Sequence, residues 1–502
     1  MVHSLPTFRP TEDTPLLRRD ITRQDNRPLI FDAMTRLSDL NVDAIQEQDI
    51  LPVDLSTADT AVDLSFHLVV LLHLRRQKLH AKPTKHNVYL DWTQRKAQNK
   101  DASVLEERIC QMWARYLDEY HLVHELNTII WTPFPVDEQK KVELRVIDFL
   151  KDGEAPSDII SHPLIVSIFS NAWRNGNATS SLRPEWVQKY DGNCTPRAVH
   201  FVELLSMFLY LALLAHYILQ PPKRPHINLH TLEEIGFRES LLVLYALSFL
   251  LRPLSVFSAG PLLVLLAFVT CLPYAPYPGD SAFTCLLWAL PLHIFQIHLP
   301  YTPSVLFLFS PERILPFVIF LFRLLLDLTP AFAFFIPGFT LCSFLLSYSL
   351  GDTPLLIFTG IRNLSDFQSN PNAAPMETRT TLFIILLVIL LFFSISVFLL
   401  ATSPIHGEKT SGWDRYSLSI GQSGRQTFFC AVDAYSALYM FPAPFNVLSF
   451  FAIRIPLFMA QLFSLDIYNI RRGEIFLWRA TVGPVMLFMN IVARSAMSFR
   501  RR

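Results

Sequence analysis

The sequence predicts an all-α fold: a polytopic helical membrane protein, with about six transmembrane helices and a helical cytosolic N-terminal domain. Three observations carry this expectation. First, Leu382 to Ala401 reads LFIILLVILLFFSISVFLLA, with no charge, Pro or Gly, and Ser394 and Ser396 are its only hydroxyl residues. Its twenty residues extend ~30 Å as a helix, the thickness of a bilayer's hydrocarbon core. A soluble core helix would keep a polar face, and this stretch has none. Second, 51% of the 502 residues are hydrophobic, 41 of them Phe, and the apolar residues concentrate in the second half. Third, the first half shows charged segments with helical apolar spacing and neither βαβ alternation nor a Gly-rich phosphate loop.

Composition also excludes. The formal net charge of +0 argues against nucleic acid as a partner. The six cysteines are scattered without a C-x-x-C pair, which removes a zinc ribbon and gives no sign of a disulfide framework. The N-terminus has no apolar h-region, so no cleaved signal peptide is expected, and the first internal span serves as the insertion signal.

Taken in order, residues 1–30 are polar and Pro-containing and are expected to be disordered. They include Glu12, Leu16 and Leu17 in the pattern EDTPLL, similar to the acidic dileucine signals that adaptors read on cytosolic tails. The plainer reading is a chance match in a tail. Residues 31–160 form the helical cytosolic domain. Val62–Leu74 is too short to span and reads as a buried helix. Ser103–Trp131 and Val136–Leu150 carry apolar residues at helical spacing. His121 and His124 could share a metal beside Glu125, but the pattern is not H-E-x-x-H and packing or surface histidines are the simpler account. No metal or other cofactor is expected.

Residues 161–200 connect to the membrane. His162-Pro163 opens an amphipathic helix, LIVSIFSNAWR. The transmembrane domain covers 201–402, with spans expected at 201–220, 238–252, 254–273, 281–299, 316–349 (kinked) and 382–401. A straight helix over 314–350 would exceed ~50 Å, more than one span needs. Arg323 and Asp327, four apart, are placed to form an intramembrane ion pair. Residues 403–502 form a cytosolic C-terminal region rich in Arg. Its apolar runs, Phe445–Phe463 and Ile475–Val492, contain Arg454 and Arg479 and read as interfacial or docked helices. The positive tail and the polar N-terminus put both ends on the cytosolic side, which needs an even number of spans.

This layout resembles the fungal TRP-like cation channels of the yeast vacuolar calcium channel type. Two local stretches add to the likeness. Pro442-Ala443-Pro444-Phe445-Asn446-Val447 is similar to the Pro-x-Pro-Phe-Asn stretch of those channels, and His162–Arg174 to their His-Pro pre-membrane helix. The resemblance implies a homotetrameric, calcium-permeable cation channel in the vacuolar membrane, with no enzymatic activity. The polar loop Gly351–Thr381 then takes the pore-loop position, and Thr359-Gly360 is its filter-like pair. Asp352 and Asp366 would form acidic rings in a tetramer, or are loop-surface charges. Leu390, Phe393 and Val397 share one face of the last span and could close a path by dewetting, or simply pack. Two other classes stay open: a polytopic transporter, and a membrane-bound acyltransferase using His293 or His298 as an intramembrane base.

Overall fold

The computed structural model describes residues 28–500, apart from 39–41, 53–59, 81–87, 120–121, 138–141, 177–189, 193, 222–235, 253–258, 273, 301–302, 351–375, 403–410, 438 and 464–467. The described chain is all-α, and among the described residues the only sheet is a two-stranded ladder. It divides into two compact units, 1–311 with 425–502, and 312–424.

In the first unit the N-terminal helices are α1 (Ile30–Ser38), α2 (Glu47–Ile50), α3 (Thr60–His80), α4 (Val88–Glu119) and α5 (Val123–Trp131). α3 is the buried centre: Phe66 and Leu68 to Leu72 are sequestered, as expected for an apolar run without a lipid role. The segment Val136–Leu150 departs from its helical expectation. Within it Glu143 and Leu144 form a strand, paired with Pro135 and Phe134 respectively, and helix begins at α6 (Val146–Asp152). Pro133 and Pro135 hold the entry extended and lack the N–H donors that a helix interior needs. At the start of α6 the Arg145 N–H donates to Asp148 Oδ2 at 2.9 Å. Gly153 closes the helix at φ 73°, a left-handed conformation that favours glycine.

α7 (Ser157–Ser161) leads to α8 (Pro163–Asn175), whose start matches the His-Pro signal. His162 Nδ1 accepts from the Leu164 N–H at 3.3 Å, and Pro163 stands where no N–H is required. α8 buries Ile165, Phe169 and Trp173.

Four apolar helices follow: α9 (Pro196–Leu219), α10 (Phe237–Leu250), α11 (Ala259–Cys271) and α12 (Ser281–His298). They share a core of Tyr210, Leu214, Leu242, Ala246, Val264 and Leu286. Their outward positions are apolar as well: Leu205, Phe208, Leu266 and Trp288 are all exposed. α10 and α11 are shorter than their expected spans. At 14 and 13 residues they extend only about 20 Å.

The second unit holds α13 (Pro311–Leu350) and α14 (Met376–Thr402). α13 is one helix of 40 residues, about 60 Å long. It runs unbroken through Pro316, Pro330 and Pro337, so a division into two segments is not seen. Each interior proline lacks the N–H that would donate to the carbonyl four residues back. Pro196–Leu219 and Pro311–Leu346 are long and apolar enough to cross a membrane; the other apolar stretches among the described residues, such as Phe383–Phe398, are shorter.

α15 (Leu418–Tyr435) carries the chain back into the first unit. The tail then forms α16 (Phe445–Ser449), a π turn over Phe450–Arg454, α17 (Ile455–Leu462) and α18 (Tyr468–Arg500). α18 docks by burying Trp478, Val482 and Met486.

Candidate pore helices and buried polar junctions

Within the second unit, α13 and α14 meet along a narrow seam. The Phe393 ring lies 5.0 Å from that of Phe332 and 5.9 Å from that of Phe335. One turn further on, Gly338 faces the end of Ile389. Outside the seam both helices are exposed, at Leu325, Phe334 and Leu341 on α13 and at Ile384, Leu391 and Phe398 on α14. Only 6% of the most apolar window of Pro311–Leu346 is buried, against 50% for that of Pro196–Leu219.

The base of this unit is more tightly built. Tyr416 stacks on Phe320 with centroids 4.9 Å apart. Trp413 is buried against Gly424. Gly421 lies so close to the Asp414 carboxylate and the Trp413 carbonyl that a methyl group would collide with both.

The expected site residues fall as follows. Asp352, Thr359, Gly360 and Asp366 lie outside the described residues, as do Glu12, Leu16, Leu17 and His121. Of the gate candidates, Leu390 is exposed, while Phe393 and Val397 are half-buried. Arg323 and Asp327 are both exposed, and the Arg323 guanidinium donates to Ser419 Oγ at 3.0 Å. His293 is buried, edge-on to Tyr210 at 4.7 Å and pressed against Gly260, and neither ring nitrogen has a hydrogen-bond partner in the structure. His298 is exposed and directs Nδ1 to the Ile294 carbonyl at 2.8 Å. Among the described residues neither histidine has a carboxylate partner that would orient a general base. Among the described residues no cluster of three or more His, Cys, Asp or Glu could hold a metal.

Three buried polar junctions in the first unit were not foreseen. The first surrounds Glu203 on α9, only 1% exposed. It is ion-paired with Arg252, which follows α10, and accepts from Tyr435 Oη on α15 at 2.7 Å. His200, one turn earlier, contacts Tyr435 Oη at 3.4 Å and the Ser304 carbonyl at 3.0 Å. The charge inside the apolar run was visible in the sequence, but its partner was not.

The second junction joins α6 to α15. Asp433 accepts from Arg145 Nη1 at 3.1 Å and Lys151 Nζ at 2.8 Å, and Asp148 binds the same two cations at 3.0 and 2.8 Å. Burial works against both cations, but the Asp433 and Asp148 carboxylates outweigh it and hold both above their ordinary pKa. Beside it Phe169 of α8 stacks on Phe429 at 4.0 Å.

The third lies at PAPFNV. Asn446 accepts from Ser248 Oγ at 2.5 Å and donates to the Ser248 carbonyl at 2.7 Å. Ser206 Oγ donates to the Ala443 carbonyl at 2.6 Å. This stretch therefore fastens the tail to α9 and α10. A further clamp holds α18, where Arg479 reaches Asp191 at 2.7 Å and Trp478 Nε1 donates to the Met440 carbonyl at 2.9 Å.

No protein-family model matches the chain, and no curated protein matches it.

Proposed function

We propose that the chain is a subunit of a homotetrameric, TRP-like cation channel, permeable to calcium, in an intracellular membrane of the vacuolar type. Both termini are cytosolic, and the loop between α13 and α14 is lumenal. The observation that supports this reading best is the state of the second unit. α13, long and apolar enough to cross a membrane, and α14, with a shorter apolar run, flank the polar sequence 351–375, share one aromatic seam, and expose much apolar surface. Water is a poor solvent for such a surface, at roughly 25 cal/mol per Å² exposed. Lipid can cover one side of the pair, and other copies can cover the side that faces a pore axis. The polar loop then supplies oxygen ligands to replace an ion's hydration.

The test is current across isolated organelle membranes carrying the overexpressed protein under symmetric calcium, beside membranes without it. A calcium-carrying conductance is expected, and equal currents in both overturn the channel reading. Orientation is tested by glycosylation. Asn363-Leu364-Ser365 is expected to carry glycan, and Asn177-Ala178-Thr179 is not.

A further inference from the structure

We infer that the α9–α12 bundle encloses a binding site for one small neutral hydrogen-bonding molecule, water in the native protein, held by Tyr210, His293 and Gln296. The inference rests on the packing of these four helices and not on conduction.

The first observation is a set of buried polar atoms. Tyr210 Oη, His293 Nδ1 and Nε2, and Gln296 Oε1 are all shut off from solvent, and none bonds another protein group. Tyr210 is 0% exposed and His293 1%. Their rings meet edge-on with centroids 4.7 Å apart, yet they do not bond each other. The surrounding core is apolar, with Leu242, Ala246, Val264, Leu286 and Ala289. Nearly all buried polar groups in folded proteins have a partner, and an ordered water serves where the protein supplies none. A dry cluster would strand four atoms that gave up their hydration on folding.

The second observation brings the three side chains to one level. α9 and α12 run antiparallel. His200, near the start of α9, contacts the Ser304 carbonyl beyond the end of α12, and Tyr217, near the end of α9, donates to the Pro276 carbonyl ahead of α12. Tyr210 lies between these two ties, against His293. Helical side chains lean toward the N-terminus of their own helix, which carries the Tyr210 hydroxyl toward the His200 end. Gln296 is one turn from His293 in that same direction and shares its helix face. Gly260 bounds the other side: a Cβ there would come within 2.8 Å of His293 Nε2. α11 thus closes against that nitrogen and leaves Nδ1 for the guest.

The side chains set the chemistry. A phenol, an imidazole and an amide carry no carboxylate, ammonium or guanidinium among them, which suits a neutral guest. A single water can accept from Tyr210 Oη and donate to His293 Nδ1 and Gln296 Oε1. That gives it about three hydrogen bonds, the usual complement of a buried water. An apolar guest would leave every one of these atoms stranded.

The experiment is hydroxyl-radical footprinting of the full wild-type chain, purified in detergent. Millisecond X-ray pulses split water where it stands, so a water held inside the protein oxidises the side chains beside it, and mass spectrometry maps the products. Two controls lie on α9. Tyr217 is as buried as Tyr210, but its hydroxyl donates to Pro276. His200 is as buried as His293, but both its nitrogens are engaged. Tyr210 is expected to oxidise several-fold faster than Tyr217, and His293 several-fold faster than His200. Tyr210→Phe should lower the His293 rate several-fold, and His293→Leu should do the same for Tyr210, since each removes one bond to the shared guest. Equal rates at Tyr210 and Tyr217 in the wild type overturn the inference. Rapid oxidation of the controls as well overturns it too, because bulk water would then enter the bundle. So does a fast Tyr210 that His293→Leu leaves unchanged, because the guest would not be shared. None of these outcomes depends on whether the chain conducts, so this measurement and the organelle current fail separately.

Discussion

Asp433 and Lys151 are 282 positions apart and share a 2.8 Å hydrogen bond. With Arg145 and Asp148 they form a closed set of two cations and two anions, in which each acid touches both bases. The set ties the N-terminal domain to the last turn of α15.

Asp433→Asn should therefore destabilise the first unit. It leaves Arg145, whose side chain is 9% exposed, with one carboxylate in place of two. Breaking a buried pair costs about 3 kcal/mol. The pH dependence follows from the raised pKa of Lys151. Its contribution is fully present below the unfolded lysine value, about 10.4, and is lost as pH rises through the higher folded value. Denaturant unfolding of the purified protein should show stability falling in that alkaline window. Asp433→Asn should flatten that fall, and an unchanged slope would mean that Lys151 is not the titrating group.

Glu203→Gln tests the buried junction on α9. The amide oxygen can still accept from Tyr435, but Arg252 loses the carboxylate paired with it. A cost of about 3 kcal/mol or more is expected, against about 1 kcal/mol for Tyr435→Phe. Adding Arg252→Met to Glu203→Gln should recover most of the loss, because the stranded charge is removed. A double variant worse than the single would show that Arg252 has another role.

Asn446→Ala removes both bonds to Ser248 and should cost about 2 kcal/mol. Ser248→Ala leaves its own carbonyl in place and removes only the hydroxyl bond, so it should cost about half as much. Their combination should equal Asn446→Ala alone, and a fully additive pair would show that the two side chains do not act together.

The elements that could be read in advance are those with local causes. His162-Pro163 marks the start of α8, and Thr195-Pro196 caps α9 through the Ala198 N–H. The apolar runs mark α9, α12 and α14, because length and composition act within one segment. The hairpin at Phe134–Leu144 went unread because an apolar period over few residues fits strand and helix alike, and only Pro133 and Pro135 decide it. The polar junctions had no local signature. Arg145 and Asp433 are 288 positions apart, and what brings them together is the packing of α6 and α8 on α15. Arg323 donates to Ser419 Oγ on α15, a partner that its spacing from Asp327 does not indicate.

Phe393 bears on the channel reading most directly. Its ring is half-buried in the seam with Phe332 and Phe335, so it couples the packing of α13 to that of α14. A bulky apolar ring near a narrow path excludes water, and an ion cannot cross a dry gap without shedding its hydration. Phe393→Ser removes the ring and introduces a hydroxyl that can bond the carbonyl one turn back, as Ser394 does with Leu390 at 2.8 Å. The variant should raise the open fraction several-fold in organelle recordings. If either acid forms a ring around the ion path, Asp352→Asn and Asp366→Asn should leave the open fraction unchanged and lower the calcium conductance. His293→Ala should leave the calcium conductance unchanged if the pore lies along α14, whereas an acyltransferase would lose activity with it. Should Phe393→Ser leave the open fraction at its wild-type value, the ring serves only to hold α13 and α14 together, and the closure lies elsewhere along α14.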